Sequence, residues 1–96
     1  MSRYGISVNR IYIAAMRRSS ETQKRKLREL LRDLREAAGL RQIDLAVRLK
    51  RPQSFVSKYE SGEKTLDFLE VREVCSVLGV SLADFVRRYE GGPDEG

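Results

Sequence analysis

The chain has no histidine, no tryptophan, one cysteine and two prolines in 96 residues. Without histidine there is no imidazole to serve as general base near neutral pH or to ligate zinc, so a histidine-based triad or metal site is excluded. A single cysteine, Cys75, forbids a disulfide within the chain. There is no run of about 18 apolar residues, so no segment reads as a membrane-spanning helix. Nor does the N-terminus read as a signal peptide: the apolar cluster at residues 11–16 is too short, and no small-residue cleavage pattern follows it. These absences predict a chain that stays in the cytoplasm or on the nucleoid and uses no cofactor.

What is present is charge and aliphatic surface. Charged residues make up 34% and hydrophobic ones 41%, a balance that fits one small globular helical domain and not a disordered chain. The net charge is +5 and is unevenly placed. Residues 1–35 carry ten Lys/Arg against three Asp/Glu, residues 36–70 six against six, and residues 71–96 three against five. A basic front and a mildly acidic back suit a polyanion held on one side, although ordinary solubility gives the same numbers.

Read in order, residues 1–20 form an extension, residues 21–90 a domain and residues 91–96 a flexible tail. In the extension Tyr4, Ile6 and Val8 alternate with polar residues, a strand-like period of two. Three readings stay open for it: a strand pairing with its copy in a dimer, a basic arm near a polyanion, or a segment upstream of a true start at Met16. Ser20-Glu21-Thr22-Gln23 has the pattern of a capping box, so a first helix is expected to begin near Glu21. Its core stripe is Leu27, Leu30, Leu31, Leu34 and Ala38, and Gly39 ends it in a left-handed cap. Helices are expected over residues 42–49, 52–61 and 68–78, with a fifth opening at Ser81-Leu82-Ala83-Asp84. Phe68, Val71, Val74, Cys75 and Leu78 share one stripe of the fourth, which makes Cys75 a small buried hydrophobe. Leu69 and Val77 fall outside that stripe, as self-association contacts would. In the fifth helix Leu82, Phe85, Val86 and Tyr89 share a face.

The centre of the chain is the pair of short helices in residues 42–60, QIDLAVRLKRPQSFVSKYE. Leu45, Ala46 and Leu49 face inward from the first, and Ala46 must be small because two helices crossing at a short turn approach closely. The turn is Lys50-Arg51, and Pro52 opens the second helix, where its missing N–H has no partner to lose. At 100° per residue, Phe55, Val56 and Tyr59 fall on one side of that helix and Gln53, Ser54, Ser57 and Lys58 on the other.

The run from about Leu27 to Tyr89 resembles Cro/C1-type (XRE) helix-turn-helix DNA-binding domains. The resemblance is carried by Gln42, Leu45-Ala46, Leu49, Gln53, Val56-Ser57, Tyr59-Glu60-Ser61-Gly62-Glu63 and Leu78-Gly79-Val80-Ser81-Leu82. It implies an all-α, compact five-helix, lambda-repressor-like fold with the helix-turn-helix at helices 2 and 3. Two positions depart from the family pattern: Arg41 stands where Ser or Thr often caps helix 2, and Lys50 where Gly usually makes the turn. A lysine keeping positive φ there would bear roughly 1 kcal/mol of strain.

The same resemblance assigns base reading to Gln53, Ser54, Ser57 and Lys58. Their chemistry agrees: Gln pairs bidentately with adenine N6/N7, Lys donates to guanine O6/N7, and Ser serves either a base or a phosphate. The resemblance places phosphate contacts at Gln42, with the N–H groups opening helix 2, and around Ser61, Gly62 and Lys64. Lys50 and Arg51 join them on charge and position. Arg35 and Glu60 occupy positions that form a partly buried ion pair in the family. The partners so implied are double-stranded DNA and a second copy of the chain, with dimer surfaces either on helix 5 with Leu69 and Val77 or in the N-terminal segment. The expected function is a sequence-specific transcriptional regulator, most simply a repressor. No small-molecule sensor domain is visible. An antitoxin or a protein-interaction module, bound to a toxin or a regulator, is the alternative, and no catalytic constellation suggests an enzyme.

Overall fold

The computed structural model describes residues 10–91, with side chains from residue 20 onward. Five helices follow one another: α1 (Arg10–Ala37), α2 (Gln42–Leu49), α3 (Gln53–Ser61), α4 (Phe68–Val77) and α5 (Leu82–Gly91). Among the described residues there is no strand, and no helix is long and apolar enough to cross a membrane. The alternating residues 4–8 and the last five of the tail lie outside the described residues.

α1 begins at Arg10, not near Glu21. No glycine or proline occurs between Gly5 and Gly39, so nothing upstream of Ser20 breaks the helix. The capping-box pattern acts only where the preceding backbone is extended. On the inner side of α1, Leu31 and Leu34 are buried, and Leu27 and Leu30 pack partly against the core. Ala38 lies beyond the last helical turn and is exposed. α2 contributes Leu45, Ala46 and Leu49, α3 contributes Val56 and Tyr59, and α4 contributes Val71, Val74 and Cys75. Burial pushes the Cys75 thiol up to about 11, so it stays protonated. Two α4 assignments change. Phe68, the first residue of the helix, overhangs the edge of the domain at 65% exposure, and Val77 packs against the core. Phe85 closes the core from α5, and the Tyr89 hydroxyl donates to the Gln23 carbonyl at 3.0 Å, tying α5 to α1.

Three helices end in the same way. Leu40 N–H donates to the Arg35 carbonyl (3.2 Å), Arg51 N–H to Ala46 (3.0 Å) and Val80 N–H to Cys75 (2.9 Å), each across a left-handed residue. Gly39 and Gly79 supply that conformation twice, and Lys50, at φ 59°, supplies it at the end of α2. Lys50 is the single non-glycine residue with positive φ among the described residues. A left-handed β-carbon costs about 1–2 kcal/mol, and glycine gives back about 0.5–1 kcal/mol through its freer unfolded chain. Lys50→Gly is therefore expected to raise the melting temperature by a few degrees while removing one cation from the turn. A thermal melt showing no rise would mean that the turn bears no strain.

α4 and α5 open on side-chain caps. The Asp67 carboxylate accepts from Glu70 N–H (2.8 Å), and Glu70 accepts in return from Asp67 N–H (2.9 Å). Ser81 Oγ accepts from Asp84 N–H at 3.0 Å. These caps fix where α4 and α5 begin.

Candidate nucleic-acid interface

α3 is held by its inner face and bare on its outer one. Val56 and Tyr59 are fully buried, and Phe55 meets Tyr59 edge-on with ring centroids 5.7 Å apart. Gln53, Ser54 and Lys58 are exposed, and Ser57 is half-buried. Among the described residues no helix covers Gln53, Ser54 and Lys58. Among the described residues the Gln53 and Lys58 side chains make no hydrogen bond or ion pair, and Ser57 Oγ reaches only the Ser54 carbonyl, at a long 3.5 Å. Pro52 stands one residue earlier than expected. With ψ at 153° it is the extended residue before the helix, and its carbonyl accepts from Phe55 N–H.

Behind α3 a single carboxylate collects three donors. Glu60 accepts from Arg35 Nε at 2.7 Å, from Arg35 Nη2 at 3.1 Å and from Gln42 Nε2 at 2.9 Å. Arg35 Nη1 also donates to the Leu40 carbonyl at 2.7 Å. Both charged side chains are at least nine-tenths buried. The hydrogen bond to Glu60 pushes the Arg35 pKa further up, so the guanidinium stays charged. The pair joins α1 to α3 and, through Gln42, to the start of α2. Gln42 thus spends one amide hydrogen on Glu60 and has a second left to donate.

The start of α2 is also occupied. An arginine side chain has no acceptor, so Arg41 cannot cap the helix as Ser or Thr would. Asp44 works from the other direction, accepting from Arg41 N–H (2.8 Å) and from its guanidinium at 3.0 and 2.9 Å. That guanidinium, with the backbone N–H, holds the Asp44 carboxyl at about 2. The Arg41 N–H, one residue before α2, is therefore already spent.

The cations around α3 divide into free and engaged. Lys50 is exposed at the turn, with no partner among the described residues. Arg51 is engaged: its guanidinium donates to Glu73 at 3.0 Å and lies 4.4 Å from the Phe55 ring centre, with the side chain still partly exposed. Lys64 faces Glu70 at 3.5 Å, with its ammonium 5.8 Å from the same ring. Ser61 Oγ donates to the Lys58 carbonyl (3.1 Å) and accepts from Glu63 N–H (3.3 Å), so it shapes the loop. Gly62 takes φ 90° and ends α3. Sequence reasoning missed Glu73 as the partner of Arg51, 22 residues away, where no local signal exists. It also missed Asp44, whose i,i+3 spacing from Arg41 was readable. Among the described residues no cluster of His, Cys, Asp or Glu resembles a metal site.

A helix-turn-helix domain family matches residues 26–92. Among solved structures, an XRE-family like protein from Pseudomonas syringae pv. tomato str. DC3000 is similar, with a TM-score of 0.76 and 38% identity over 80% of this chain and 94% of that one. No protein of curated function matches.

Proposed function

The chain belongs to the XRE-type helix-turn-helix family, and from that premise we propose that it is a sequence-specific transcriptional regulator, most simply a repressor, that binds operator DNA as a homodimer. The observation carrying this reading is the outward face of α3, where Gln53 and Lys58 are exposed and unengaged. A major groove about 12 Å wide admits one helix presenting such a face. Ser54 and Ser57 accompany them as base or phosphate contacts. Gln42, Lys50, Arg51, Ser61, Gly62 and Lys64 flank the helix as phosphate contacts, Arg51 with one guanidinium nitrogen also engaged by Glu73. The protein so described works in the cytoplasm, on the nucleoid.

One reading helix covers only a few base pairs, and two-fold related domains place theirs about 34 Å apart. The surface that suits a second copy is an open apolar groove of about 400 Å³ between α1, α4 and α5, lined by Leu27, Phe68, Leu82, Val86 and Tyr89. Phe68 and Val86 are 65% and 47% exposed. Leu69 lies beside it, exposed, whereas Val77 is withdrawn into the core.

Selection of bound sites from random duplex DNA, repeated with Gln53→Ala and Lys58→Ala, tests the reading. Each variant is expected to relax preference at one position by about 1–3 kcal/mol. Preferences unchanged in both variants would remove the assignment of the reading face. The apolar groove also favours a second reading, an antitoxin or protein-interaction module docking a protein there. Salt separates the two: duplex affinity falls with a slope of about −0.9 per phosphate neutralised, whereas an apolar protein contact shows no such slope.

A further inference from the structure

α1 is longer than the body it serves. Its 28 residues span about 42 Å, whereas the molecule measures 25 and 23 Å along its two shorter axes. The Tyr89 hydroxyl of α5 meets α1 at Gln23, so about 20 Å of helix precede that tie. The sequence of this overhang is not that of a solvated helix. Residues 11–16 read IYIAAM, without a charge. Tyr12, Ile13 and Met16 stand 18 residues ahead of Leu30, Leu31 and Leu34, which lie in the core or pack on it. At 3.6 residues per turn that spacing is five whole turns. The register of the inward stripe therefore resumes beyond the body, past the polar Ser20 and Gln23. A helix that is apolar on most sides is stable only when something covers it.

The groove between α1, α4 and α5 starts where the overhang leaves, since Ser20 and Gln23 line it together with the exposed Phe68 and Val86. Its charges are complementary to those of the overhang. Asp67 and Glu90 line the groove against one cation, Lys24, and residues 10–19 carry Arg10, Arg17 and Arg18 and no acid. The overhang cannot enter the groove of its own chain. α1 carries it straight out, and no glycine or proline between Gly5 and Gly39 supplies a kink to turn it back. A second copy offers both a groove and an overhang. Antiparallel pairing about a two-fold axis uses each of them once per copy and closes at two chains.

We propose that residues 10–19 of α1 dock in the α1–α4–α5 groove of a second copy, each chain receiving the overhang of the other. The proposal rests on the homodimer reading above and names the segment that fills the groove.

Sedimentation of the full chain, alone and on a selected duplex site, tests it with two variants. Met16→Asp alters the overhang, and Phe68→Lys alters the groove at a residue 65% exposed. Each dimer would contain either change twice, so each variant is expected to weaken dimerisation by about 100-fold or more. An equimolar mixture of the two is expected to recover the dimer, because the heterodimer keeps one native overhang on one native groove. A crosslinking measurement stands independently of those variants. Met16→Cys and Val86→Cys chains, differently tagged and mixed, are expected to be joined by a short thiol–thiol crosslinker, and Met16→Cys and Arg48→Cys chains are not. The native Cys75 is buried and does not compete. A Met16→Asp chain as dimeric as wild type, or a Met16→Cys chain that joins Val86→Cys no better than Arg48→Cys, overturns the proposal. The homodimer reading then survives, with the copies meeting elsewhere. A wild-type chain that is monomeric both alone and on duplex overturns the two together, and leaves the groove to residues 1–9 or to another protein. The reading face of α3 is judged separately by the site selection.

Discussion

Glu60→Ala is expected to destabilise the domain by about 3–5 kcal/mol, because it strands a buried guanidinium that has lost its counter-charge. Arg35 keeps its bond to the Leu40 carbonyl and a long contact with the half-exposed Glu36 carboxylate at 3.9 Å, and Gln42 loses its partner as well. Against a total stability of about 5–15 kcal/mol this is a large fraction, and at about 4–8 °C per kcal/mol the melting temperature falls by more than 10 °C. DNA binding declines with the folded population and recovers on cooling, since Glu60 shares its carboxylate with Arg35 and Gln42 and does not line the outward face. Arg35→Ala has a comparable effect, and the double variant loses much less than the two losses combined. The check is a double-mutant cycle on urea or thermal unfolding, in which zero coupling would mean that the pair does not hold α1 and α3 together.

Leu45→Ala is expected to cost about 2–5 kcal/mol through lost transfer energy and the cavity left behind. Leu45 is fully buried on α2, which packs against both α3 and α4. With eight residues, α2 is too short to hold together alone, so its helicity rests on this packing. The unfolding midpoint in urea is the measurement, and a loss under 1 kcal/mol would show that the site collapses around the gap. The two variants differ in one respect: the leucine loss is a matter of volume, so Leu45→Met recovers most of it. Glu60→Gln keeps the shape and still removes the buried negative partner of Arg35.

The bounds of α2 and the two sides of α3 were legible because short-range signals agree there. Leu45, Ala46 and Leu49 set the inward stripe, Lys50 marks the turn, and Pro52 marks the opening of the next helix. The start of α1 was not legible, because a capping pattern competes with whatever precedes it, and residues 10–19 contain nothing that stops a helix. The wheel gives a side of a helix but not where that helix outruns the body it packs on, which is why Phe68 and Ala38 emerge into solvent. Long-range charge partners leave no periodic trace. Arg51 and Glu73 were invisible for that reason, and Arg35 and Glu60, 25 residues apart, entered through family resemblance alone. The outward placement of Gln53, Ser54 and Lys58 follows from spacing, whereas the base-reading role proposed for them comes from the family resemblance.

Cys75 lies sealed in the core, and residues 20–91 contain no methionine and no tryptophan. Peroxide attacks thiolates first and thioethers next. The face of α3 and the loops beside it therefore present no side chain that oxidative stress readily alters. A redox signal acting on residues 20–91 would have to arrive by way of another molecule or another part of the chain.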